Sequence, residues 1–188
     1  VSYGRGPDKK VIRRLRDAGI VCMPTVGALK HAQKAIEMGA NVITIQGGEG
    51  GGHTGSVPTT VLLPQVVDAV KVPVVAAGGF YDGRGLVAAL AFGAQGIAMG
   101  TRFLMTRDSG VPEVTLQRYL DVRDADRIRV SPVVDGMPQR MIDNEYLAML
   151  EKAAPLRRVW IALQSALQWK AQTGMTTRHA LGVLWQAL

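Results

Sequence analysis

Four short apolar runs dominate the first hundred residues: "IVCMPTV" (20–26), "NVITIQ" (41–46), "VPVVAAGG" (72–79) and "GIAMGT" (96–101). They are rich in β-branched residues, and none alternates between apolar and polar. Such runs form strands buried on both faces, as in a parallel sheet. Segments with helical spacing stand between them. Residues 27–38 carry Leu29, Ala32, Ala35 and Ile36; residues 59–70 carry Leu62, Leu63, Val66, Val67 and Val70; residues 83–92 carry Leu86, Val87, Ala89 and Leu90. Ala18-Gly19, Gly39-Ala40 and Gly93-Ala94 each precede a strand, as a helix-ending glycine before a short loop does. The opening "VSYGRGPDKK" reads as the tail of an earlier strand, its loop, and a helix with Pro7 near its first turn. Repeated βα units of roughly 20–30 residues predict a parallel α/β architecture.

Charge and cysteine use narrow the function classes. The net charge is +7, but the Lys and Arg residues are scattered and do not alternate with aromatics. That speaks against nucleic acid. The dense patch "KKVIRRLR" (9–16) reads as a helix with Val11, Ile12 and Leu15 on one face and its charges in water. Attraction for a phosphorylated cofactor or substrate is its second reading. Cys22 is the only cysteine, so there is no disulfide framework, and it reads as a buried, inert thiol rather than a nucleophile. With no signal peptide and no apolar run of about 18 residues, a soluble cytoplasmic protein is expected, without membrane contact. His31, His53 and His179 show no metal-ligand spacing, so no metal is expected.

The chemistry concentrates in "QGGEGGGHTG" (46–55), where six of ten residues are glycine around one imidazole, His53. Glycine forfeits the most conformational entropy on ordering, and it lets another object approach the main chain. Something flat or anionic lying against this loop explains the pattern. Gly50, Gly52 and Gly55 spell G-x-G-x-x-G, yet "SVPTT" intervenes before the next helix, and "PVVAAGG" stands where a ribose-binding acid belongs. A dinucleotide fold is therefore set aside, and G-x-x-x-x-G-K-[ST] has no match. Two further signals follow. "AAGG" (76–79) and "MGTRF" (99–103) end consecutive strands and place bare backbone N–H groups there. In a (β/α)8 barrel the loops after the last two strands commonly form a phosphate site.

These residues resemble the nitronate monooxygenase family, also called 2-nitropropane dioxygenases. The decamer is similar to the family's Q-x-x-E-A-G-G-H loop. "PVVAAGGFYDGRGLVAALAFGAQGIAMGTRFL" matches it well, and "GMPQRMIDNEYL" more loosely. The resemblance implies an FMN-dependent (β/α)8 TIM-barrel type. Only the C-terminal part of that barrel is present, over residues 1–106, followed by a helical extension over 107–188. That extension holds helices in "VPEVTLQRYLDV", "MIDNEYLAMLEKA" and "LRRVWIALQSALQWK", and a last one near 178–187. Its stripe of Leu156, Val159, Trp160, Leu163 and Leu167 is expected to pack on the barrel or to form a lid. By motif position the resemblance puts the catalytic histidine on His53. It puts the FMN phosphate on Gly78, Gly79, Gly100 and Thr101, with Ala77 before them, and flavin-lining positions on Gln46 and Gly51. Gly50 departs from the family, which has alanine there.

The implied reaction oxidises alkyl nitronates or nitroalkanes with O2 to a carbonyl compound and nitrite. His53 takes the α-proton or holds the anionic nitronate; imidazoles change charge near neutrality, which suits either role. Glu49 either orients that imidazole or holds loop amides, and the second role is favoured. Related flavin-type enoyl reductases share these motifs, with NAD(P)H reducing FMN and FMN reducing an acyl-CoA-type thioester. A third reading is an inactive truncated fragment. A full barrel needs about 250 residues, so the missing N-terminal barrel segment, or a second chain, is the expected partner.

Overall fold

The computed structural model describes residues 1–4, 9–154, 156–161 and 163–164. They fall into two compact units, Val1–Asp121 and Val122–Leu188. In chain order the first unit contains β1 (Ser2–Tyr3), α1 (Lys9–Asp17), β2 (Met23–Val26), α2 (Leu29–Glu37), β3 (Ile43–Gln46) and β4 (Gly52–His53). It continues with α3 (Thr59–Ala69), β5 (Val74–Ala77), α4 (Gly83–Ala91), β6 (Gly96–Ala98), α5 (Thr101–Leu104) and α6 (Glu113–Leu120). A five-stranded sheet runs in the order β1-β2-β3-β5-β6, with every pairing parallel. Strands that neighbour in sequence neighbour in space, each joined by a helix. This is part of a (β/α)8 barrel, and the four apolar runs and the opening strand all lie in it. Gly19, Gly39 and Gly93 end their helices at φ of 72°, 107° and 89°, left-handed values that favour glycine. Pro7 lies outside the described residues.

The apolar runs are less uniform than their sequences suggest. Ile43, Ile45, Val74 and Ala76 face the helices and form a core with Leu62, Leu63, Val66, Ala32 and Ala89. The register puts Thr25, Thr44, Val75 and Gly96 in one row and Gln46, Ala77 and Ala98 in the next. The inner face is therefore built of short or polar residues. Helix α4 also departs from expectation. Ala89 is buried, whereas Leu86, Val87 and Leu90 are exposed. A Cβ at Gly85 would lie 2.9 Å from the ring of Phe80, in the loop that leads into the helix. In α1, Ile12 is buried and Val11 exposed.

Asp82 starts α4 by accepting hydrogen bonds from the amides of Arg84 (3.0 Å) and Gly85 (3.4 Å). The Arg84 guanidinium, first of all, and then these amides hold the Asp82 carboxyl below its ordinary range. A lowered carboxylate supports the fold above its ordinary range, and that support fades as pH falls through the lowered value. Asp82→Ala is therefore expected to fray the first turn of α4, with faster amide exchange at Arg84 and Gly85. Asp82→Asn is expected to keep most of that protection. Equal loss in both variants would count against the cap.

The second unit is not wholly helical. A 3-10 turn over Ala125–Arg127 leads into β7 (Ile128–Ser131), which pairs antiparallel with β8 (Gln139–Ile142). Helix α7 (Glu145–Lys152) follows, capped by Asn144 Oδ1 accepting from the Leu147 amide at 2.9 Å. Thus "MIDN", expected at the start of a helix, supplies the end of a strand and the cap. Arg129 pairs with both Asp143 and Glu151, and Ser131 Oγ donates to Glu151 at 2.7 Å. Residues 156–161 are helical, with Leu156 and Trp160 exposed. Leu167 and the helix expected near 178–187 lie outside the described residues. The units divide after residue 121.

Candidate active site

In a parallel sheet every strand ends on the same edge, so the loops after β3, β5 and β6 meet there. The turn after β5 places Gly78 and Gly79 at φ of 94° and 82°, which side chains rarely adopt. A Cβ at Gly78 would lie 3.0 Å from the Gly50 nitrogen and 3.2 Å from the Gly47 oxygen. At Gly79 it would meet the Glu49 Cβ at 3.3 Å, and at Gly47 the Thr59 hydroxyl at 2.0 Å. These glycines let the two loops pack main chain on main chain. A Cβ at Gly51 would lie 3.3 Å from Thr101 Oγ1, which ties the histidine loop to the turn after β6.

Gly100 is of another kind. Its φ is −86°, which any residue adopts, and a Cβ there would meet nothing within 4 Å. The protein's own packing gives no reason for glycine at this position. Helix α5 begins at the next residue, Thr101. Outside the helices and sheet ladders, no backbone hydrogen bond among the described residues is donated by Gly78, Gly79, Gly100 or Thr101. Unengaged amides around an open space suit an anion.

Glu49 binds the start of α3. Its carboxylate accepts from the Thr59 amide at 3.0 Å and lies 2.6 Å from the Thr59 hydroxyl. The same hydroxyl is 3.1 Å from the Gly78 oxygen, so Thr59 joins both loops. Sequence reasoning missed Thr59; the signal was a threonine at the first helical position after "SVP". Thr59 is buried, and Thr59→Val is expected to cost about 1–2 kcal/mol of stability through the lost hydroxyl bonds, read from a denaturant melt. An unchanged midpoint would show that the hydroxyl holds nothing. Thr54 was missed as well. Its hydroxyl lies 3.0 Å from the Gly48 oxygen and 3.2 Å from the Gly47 oxygen, inside the loop.

Gln46 is half-buried at the end of β3, and its Nε2 donates to the His53 carbonyl at 2.8 Å. His53 is exposed. The structure thus brings Gln46, Gly51, His53, Ala77, Gly78, Gly79, Gly100 and Thr101 to one edge of one sheet. Two other sequence candidates lie apart. Cys22 is fully buried, its Sγ 3.8 Å from the Ile20 oxygen. Lys9, Arg13 and Arg16 line a cavity of about 380 Å³ with Asp17, Glu37 and Met38. Two acids among three cations make it a poor anion site, and none of the glycine loops borders it. Among the described residues no helix is long and apolar enough to cross a membrane, and no group of three His, Cys, Asp or Glu is placed to hold a metal.

The chain is similar to known proteins. A family model described as nitronate monooxygenase matches residues 1–186. A Rhodococcus jostii (strain RHA1) protein named "(3aS,4S,5R,7aS)-5-hydroxy-7a-methyl-1-oxo-octahydro-1H-indene-4-carboxyl-CoA dehydrogenase" is 51% identical over 93% of this chain and 49% of its own. A "Probable nitronate monooxygenase" of Staphylococcus haemolyticus (strain JCSC1435) is 38% identical over 78% of this chain and 44% of its own. Among solved structures, FabK from Thermotoga maritima superposes with a TM-score of 0.77 at 32% identity, over 90% of this chain and 55% of that one. The chain thus spans about half the length of the relatives it matches.

Proposed function

The chain belongs to the nitronate monooxygenase family, and on that premise we propose that it supplies the phosphate cradle and the proton-handling histidine of an FMN-dependent oxidoreductase acting on a CoA thioester. The observation that carries the cradle is Gly100: a glycine with ordinary backbone angles, open space where its side chain would be, and unengaged amides beside it. A terminal phosphate fits that donor set. The amides of Gly78, Gly79, Gly100 and Thr101 would hold it, with Gln46, Gly51 and Ala77 lining the ring side. When bound, FMN supplies the acceptor and donor of an electron pair.

His53 would take or return the proton on a carbon made acidic by its neighbour, such as the thioester carbonyl. The thioester leads because the relative named for a CoA substrate is 51% identical over 93% of the chain. Oxidation of an alkyl nitronate or nitroalkane with O2, to a carbonyl compound and nitrite, is the second reading. It is favoured by the family model and by the 38% identical relative. For a nitroalkane His53 would take the α-proton, since a nitro group acidifies its neighbouring carbon too; for an alkyl nitronate, already deprotonated, it would hold the anion. NAD(P)H is the proposed electron partner for thioester reduction. The N-terminal barrel strands, in the same chain or a second one, are the proposed structural partner, and the cytoplasm is the proposed location.

The test uses the full-length protein that contains this chain. Its flavin is identified by mass after extraction. It is then assayed for nitrite release from nitroalkanes and for redox turnover of acyl- and enoyl-CoA with NAD(P)H or an electron acceptor. Thioester turnover with little nitrite is expected. Nitrite release alone selects the second reading, and a colourless protein that binds no added FMN overturns both in favour of an inactive fragment.

A further inference from the structure

We infer that Gln46 is a positioning residue for His53, and that glycine at position 50 is what makes room for it; the inference rests on the reading of His53 as the proton-handling group. A Cβ added at Gly50 would lie 2.4 Å from Gln46 Nε2, 2.5 Å from its Cγ and 2.6 Å from its Cδ. Those three atoms are the nearest to that point. Gly50 is not among the glycines with positive φ, so its backbone accepts alanine. The Gln46 side chain is folded into the place of the missing methyl, and from there its amide reaches the His53 carbonyl at 2.8 Å. The bond and the glycine are one device.

The backbone of residue 50 cannot retreat to admit a methyl group. Its N–H donates to the Gly47 oxygen at 3.0 Å, and the turn at Gly78 packs against its nitrogen. A methyl group at 50 must therefore move the Gln46 amide, the free end of a flexible side chain. Between residue 50 and His53 stand only Gly51 and Gly52, the latter at φ 72°. Such a segment has no side chains of its own to pin it, and ordering it is costly. A tie across the loop from the end of a buried strand helps to hold the main chain at the histidine. This explains the one departure of the loop from the Q-x-x-E-A-G-G-H pattern: alanine there would leave Gln46 elsewhere.

The experiment compares Gln46→Met, Gly50→Ala, Gln46→Ala and the double variant Gln46→Ala/Gly50→Ala in the full-length protein, with and without flavin. Amide exchange of residues 51–54 is read directly, and bound flavin and kcat are read beside it. Gln46→Met and Gly50→Ala are each expected to raise exchange about five- to tenfold, the effect of one lost hydrogen bond. Gly50→Ala is expected to add nothing in the Gln46→Ala background, because the space is vacated. Both single variants are expected to lower kcat together. The inference is overturned if Gly50→Ala leaves exchange at the parent level, or if the effects of Gln46→Ala and Gly50→Ala add. Loss of flavin in Gln46→Met alone, with exchange unchanged, would make Gln46 a flavin contact only. If the protein holds no flavin at all, the proposed function fails while the flavin-free exchange still decides the role of Gln46.

Discussion

Gly100→Val, in the full-length protein, should fold like its parent and hold FMN about a hundredfold more weakly, as expected for the loss of one or two bonds to a charged group. The fold has no stake in the missing side chain. Residue 100 has φ −86° and ψ −75°, and a Cβ there meets nothing within 4 Å. The space a valine would fill is the space the proposed phosphate site needs. Far-UV circular dichroism and the melting temperature should match the parent, while the flavin dissociation constant, measured by fluorescence quenching, rises. Parent-like FMN affinity would place the phosphate elsewhere. Gly78→Ala is a poorer experiment despite its similar position. At φ 94°, packed against Gly47 and Gly50, alanine costs about 1–2 kcal/mol in backbone strain alone, so lost flavin would be confounded with lost structure.

His53→Asn should keep the flavin and lower kcat by about a hundred- to ten-thousandfold, the usual worth of a positioned acid–base group. Asparagine preserves the main-chain carbonyl that Gln46 holds, and the exposed side chain carries little packing. The substitution removes the nitrogen proposed to handle the proton. The same loss should appear with a CoA thioester and with a nitroalkane if one group serves both. Parent-level kcat with both substrates would remove His53 from the chemistry.

Periodicity carried most of the fold. Val74, Ala76, Ile43 and Ile45 face the helices as strand residues in apolar runs do, and Gly19, Gly39 and Gly93 sit at left-handed helix ends. What periodicity missed depends on neighbours. Leu86, Val87 and Leu90 have helical spacing, yet they are exposed while Ala89 is buried. "MIDN" has no local feature that separates a strand end from a helix start, and β8 exists because β7 pairs with it. At the site the glycines were visible, but their purposes were not. Gly78 serves packing, Gly100 faces open space, and Gly50 yields to Gln46, while the sequence writes all three with one letter.

Glu49 has an effect beyond the loop it closes. The eleven-residue helix α3 presents a positive end at this edge of the sheet, and such ends collect anions. Here the seat is already taken by the chain's own carboxylate, bound to the first amide of that helix at 3.0 Å. A phosphate at the proposed site would meet like charge on that side, next to Gly79, where an added Cβ would lie 3.3 Å from Glu49. On the other side it would meet the amides of Gly100 and Thr101. If the proposed phosphate site is right, the built-in anion acts as a sorting charge: it would deny one of two adjacent seats, and so would set where along the sheet edge the rest of a phosphorylated ligand lies.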